Sequence, residues 1–329
     1  MRSTILHQLI DYLLLNACSV RSTGLYSGKA GFALTLTELA YAYDDEYLGD
    51  RAYELLEESL LSSTEDTSLE HGLAGIGFVL LHLISRGLVE VDLEELFATQ
   101  HQHIIHSLAK ESKGQGGLRI AYYLLAHYQQ TKNEDSLRHL SELLERHAQV
   151  LVEQLRQLKD YTSTLDKHQL NISLELYLSI LCKTGPWLHP NLEVLHFYAE
   201  AHHSHRLKSD YFIGVDLHLL HRMELLPQTL DLESIVNQSL TCGGMDFHLW
   251  NLDLRTALRL LQSYTSLHKF QQRDELLCML DLTEPSEEAL LRLLPHQYYR
   301  PGYEGGVARY LLYRCTPTST LEYTHPLFL

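Results

Sequence analysis

Apolar residues recur at helical spacing along almost the whole chain, in segments of two kinds. Across residues 136–159, Leu137, Leu140, Leu143, Leu144, Leu151, Val152, Leu155 and Leu158 form one stripe, while Glu142, Glu145, Arg146, Glu153 and Arg156 fall off it. That pattern predicts an amphipathic helix with one buried face. Residues 34–43 and 78–88 are apolar nearly throughout, with little proline and no alternation of β-branched residues. These predict helices buried on most sides. The chain therefore reads as all-α, in units of one enveloped and one amphipathic helix.

A glycine-led cassette precedes each enveloped helix. It reads Ser27-Gly28-Lys29-Ala30-Gly31-Phe32 at first and returns as His71-Gly72-Leu73-Ala74-Gly75-Ile76, with the lead glycines 44 positions apart. A third copy, Gly116-Gly117-Leu118-Arg119, follows after another 44 positions, with arginine in place of the second glycine. Periods of this length signify one supersecondary unit repeated. Later copies are looser. His168 to Ser173 precedes an apolar helix at 174–181, Tyr211-Phe212-Ile213-Gly214 precedes one at 217–220, Cys242-Gly243-Gly244 precedes one at 247–252, and Glu304-Gly305-Gly306 precedes one at 309–313. Seven units result.

Composition narrows the function classes. With 329 residues, 45% of them hydrophobic, and no linker, the chain is expected to form a single repeat domain over 1–329. The net charge of −16 argues against nucleic acid and anionic membranes as partners, which require a basic face. No apolar run approaches the roughly 18 residues of a membrane span, and the N-terminus lacks a signal-peptide pattern. Five scattered cysteines, Cys18, Cys182, Cys242, Cys278 and Cys315, read as free thiols. A cytoplasmic location is expected.

Seven cassette-led helices alternating with as many amphipathic ones resemble the lanthionine synthetase C-like family, on the strength of Ser27-Gly28-x-Ala30-Gly31 and His71-Gly72-x-Ala74-Gly75 and their interval. The resemblance implies an α/α toroid, a double ring of inner and outer helices. It also implies a cavity whose mouth, near Gly28, Gly72, Gly116, Gly214, Gly244 and Gly305, receives a peptide. In the family the cavity holds zinc, and a zinc-bound cysteine thiol of the peptide adds to a dehydrated Ser or Thr to close a thioether ring. Helix N-termini at such cassettes would present partial positive charge to a thiolate.

The family's zinc ligands belong to the fifth and sixth cassettes, and there this chain departs. Phe212 stands where the first cysteine is expected, and Gly243 replaces the histidine that follows the retained Cys242. A catalytic zinc needs about three protein ligands and an open position, so no zinc cofactor is expected. The neighbouring tyrosine is replaced by Ile213, an arginine corresponds to Lys208, and the acid of the third cassette falls near Ser112. His168 corresponds to the family's proton-transferring histidine. The candidate catalytic set is His168, Cys242 and Lys208. A rebuilt metal site would draw on Cys242, His218 and His248. The cluster His202, His203 and His205 reads as a solvated loop.

Two function classes follow. One is a non-catalytic toroid that binds a peptide or partner protein in the maturation of ribosomal peptides. The other is an enzyme: a thioether cyclase with a rebuilt or metal-free site, or a carbohydrate-active α/α barrel with paired carboxylates and an aromatic lining, for which Tyr298, Tyr299 and Tyr303 are available. Loss of two ligands in three favours the binding class.

Overall fold

The structure, a computed structural model, describes residues 4–108, 115–208, 210–227, 232–242, 253–280, 300–316 and 326. Among them are fourteen α-helices, one short 3-10 turn and no strand. The helices are α1 Thr4–Ala17, α2 Lys29–Tyr43, α3 Glu46–Leu60, α4 Leu73–Ser85, α5 Leu93–Leu108, α6 Gln115–Thr131, α7 Glu134–Gln157, α8 Thr164–Thr184, α9 Leu192–His203, α10 Tyr211–Arg222, α11 Glu233–Cys242, α12 Leu254–Ser266, α13 Phe270–Leu280 and α14 Val307–Cys315. They form two compact units, one of residues 1–107, 129–131 and 249–329, the other of residues 108–128 and 132–248.

The two helix types predicted from hydrophobic pattern alternate as expected. In α4 ten of thirteen residues are buried, including Gly75 and Gly77, and in α14 seven of nine. By contrast α3 buries only Leu48, Ala52, Leu55, Leu56 and Ser59 of its fifteen residues, and α7 buries one stripe from Ser136 to Leu155. A helix wrapped by neighbours must be apolar all round, whereas one with a wet face needs only a stripe. In the first unit α2 packs on α3, α4 and α14, so the last described helix lies beside the first enveloped one. In the second, α8 packs on α7 and α10, and α10 on α11.

Helix starts fall into two chemical types. Asp45, Asn133, Ser163, Asn191, Asp210 and Asp253 cap α3, α7, α8, α9, α10 and α12 with their side chains, each accepting from a backbone N–H of the first turn. The caps of α2, α4 and α14 are Gly28, Gly72 and Gly306, with extended backbone and no side chain to offer. Their preceding loops curl back instead. Lys29 N donates to Ser22 O at 3.0 Å, Leu73 N to Asp66 O at 2.8 Å and Val307 N to Arg300 O at 2.7 Å, each spanning seven residues. Ala30 N to Thr23 O and Ala308 N to Pro301 O continue the pattern. Backbone thus satisfies donors that a helix end otherwise leaves open.

Two expectations shift and a third lies outside the described residues. The fourth cassette does not stand before its helix: α8 begins at Thr164, capped by Ser163, so His168 lies inside it. The signal was Ser163 three residues ahead of Asp166, a capping pair. The helix expected at 247–252 lies outside the described residues, and the helix that follows, α12, starts at Leu254. His202 and His203 are helical, closing α9, and His202 is buried against Tyr198, because Val194, Tyr198 and His202 share one helix face.

Candidate functional site

In the first unit the cassettes of α2, α4 and α14 meet through their loops. Tyr26 N donates to Glu70 O at 2.8 Å, while Tyr303 N and Glu304 N both donate to Tyr26 O, at 2.6 and 3.3 Å. The glycines permit this crowding. A Cβ on Gly24 would sit 2.2 Å from the His71 carbonyl carbon, one on Gly72 2.1 Å from Asp66 O, and one on Gly306 2.0 Å from Arg300 O. No side chain fits at such distances. The loops that lead to α2, α4 and α14 therefore meet, and the helix caps fall in the register Gly28, Gly72, Gly306. Nothing lies within 4 Å of a Cβ on Gly305.

That register puts Arg309 where Gly31 and Gly75 stand in the first two cassettes, as Arg119 stands in the third. Arg309 is buried, donates from Nε to Tyr303 O at 2.9 Å and lies 4.6 Å over the Tyr303 ring. Burial lowers its affinity for the proton, while the Tyr303 and Tyr26 rings work the other way. Tyr26 and Tyr303 face each other with ring centres 6.5 Å apart, and the Tyr303 hydroxyl donates to Pro326 O. Loop carbonyls already occupy the N–H groups of Lys29 and Ala30 in α2, Leu73 and Gly75 in α4, and Val307 and Ala308 in α14, so these donors are engaged within the protein.

The second unit carries the remaining candidates. Gly116 lies in the first turn of α6, and Gly214 in the first turn of α10, where a Cβ would press to 2.6 Å against Ser239 Cβ of α11. Gly214 thus serves a helix contact. Asp210 caps α10, accepting from Phe212 N at 2.9 Å and Ile213 N at 3.2 Å. Burial raises the Asp210 carboxyl above the usual range, offset only in part by those two N–H groups and by His168, which lies within electrostatic reach. His168 and Lys208 are exposed, and Cys242 is the last residue of α11. His218 lies on α10 between buried Leu217 and Leu219, its imidazole made harder to protonate by burial, then by Arg222 and His221. Ser112, Gly243, Gly244, His248, Tyr298 and Tyr299 lie outside the described residues.

The fifth cassette does not fit a zinc ligand. Phe212 is half-buried in the first turn of α10, edge-on to Tyr211 with ring centres 5.6 Å apart, and a phenyl ring has no donor for a metal. Among the described residues no group of three or more His, Cys, Asp or Glu side chains is arranged to hold a metal ion. Ser163 and Asp210, residue types that cap helices, set the helix starts around His168 and Phe212 and are legible as N-caps in the sequence.

An all-α chain whose enveloped helices open on backbone-capped glycine cassettes, with the last packed beside the first, is a helical-repeat protein of the α/α kind. The lanthionine synthetase C-like protein family model matches residues 19–172, and over that span the chain is similar to the lanthionine synthetase C-like family, whose fold is an α/α toroid. The match takes in the cassettes of α2, α4 and α6 and ends within α8, ahead of the fifth and sixth cassettes. No curated protein and no solved structure was found to match the chain. Among the described residues no helix is long and apolar enough to cross a membrane.

Proposed function

We propose that this chain is a peptide-binding member of the lanthionine synthetase C-like family that does not perform zinc-dependent cyclisation. The supporting observation is Phe212 in the capped first turn of α10, where the family pattern calls for a metal-binding cysteine. Without that ligand, and with Gly243 in place of a second, zinc activation of a thiol lacks its coordination set. The cassette rim then acts by shape and by neutral polar backbone, and its occupant is a segment of a ribosomal peptide during maturation.

The test uses a peptide that carries one dehydroalanine and one cysteine, incubated with the protein and followed by mass spectrometry after thiol capping. The free thiol is expected to persist, and the peptide to bind wild type, Cys242→Ala and His168→Ala alike. Gly305→Trp, which projects from the rim into open space, should weaken binding, whereas Gly72→Trp would strike the Asp66 carbonyl and is unsuited to the purpose. Thiol consumption by wild type but not by His168→Ala would restore the cyclase reading.

A further inference from the structure

We draw no further inference here: the strongest candidate, the side-chain pair of Asp210 at the cap of α10 and His168 on the first half of α8, rests only on the displaced pKa of the Asp210 carboxyl, which by itself assigns neither a ligand nor a reaction.

Discussion

Glu38 of α2 and His82 of α4 lie 44 residues apart, one repeat, and meet at 3.1 Å between Oε1 and Nε2. Each is the tenth residue after its lead glycine, Gly28 or Gly72, so a repeated helix register delivers two different residues to one contact. Arg86, one turn beyond His82, adds two bonds to the same carboxylate at 3.3 Å. Burial alone would raise the Glu38 pKa. The hydrogen bonds and charges of His82 and Arg86 outweigh it, and the carboxyl is held below its ordinary value. The first two repeats are thus joined by a charged clasp as well as by their loops.

Removal of that carboxylate should cost stability. Glu38→Ala leaves His82 and a partly exposed Arg86 without their acceptor, and a loss of about 2 kcal/mol is expected by urea unfolding at pH 7. Since the folded pKa lies below the unfolded value of 4.5, the contribution is complete above pH 4.5 and is withdrawn as pH falls through the folded value. The gap between wild type and Glu38→Gln should therefore narrow below pH 4.5. A gap that widens in acid would mean that another group dominates the clasp.

The register of the last cassette can be checked with two alanines. Gly306→Ala forces a Cβ to 2.0 Å from Arg300 O, and a loss of about 2–3 kcal/mol is expected. Gly305→Ala meets nothing within 4 Å and should stay within about 0.5 kcal/mol of wild type. Equal thermal midpoints for the two variants would put the register in error.

Purified protein, prepared without chelators, should contain no stoichiometric zinc by elemental analysis. A ratio near one that disappears in Cys242→Ala would show that residues beyond Phe212 and Gly243 had rebuilt a site.

Cysteine reactivity should separate by burial. Cys182 is buried, its Sγ 3.4 Å from Asp216 O, and burial followed by the Asp216 charge pushes its thiol pKa well above the ordinary range. Cys18 and Cys278 are exposed. In a maleimide time course on folded protein the exposed pair should react first, and Cys182 only on unfolding, since reactivity requires an accessible thiolate. Early modification of Cys182, located by peptide mapping, would contradict its placement between α8 and α10.

The order of helices was legible in the sequence because hydrophobic periodicity depends on which faces are wet, a local property of each segment. The amphipathic stripe of α7 and the enveloped runs of α2 and α4 follow directly from it. The repeat was legible because the glycines at 28, 31, 72 and 75 answer a demand that recurs in each unit, backbone approaching backbone too closely for a side chain. Where glycine was absent the reading failed: spacing drew attention to His168, although the Ser163 cap already marked the start of α8.

What the chain by itself determined, then, is the all-α class, the alternation of enveloped and amphipathic helices, the 44-residue period and a phenyl ring, which has no metal-binding atom, at position 212. Only the tertiary structure decided that Gly306 leads the last cassette, that loop carbonyls accept from Lys29, Leu73 and Val307 N at the helix starts, and that Glu38 meets His82. Each of these depends on contacts between residues far apart in sequence or on the curl of a seven-residue loop. No local pattern of hydrophobicity encodes such distances, because they are set when the helices pack against one another.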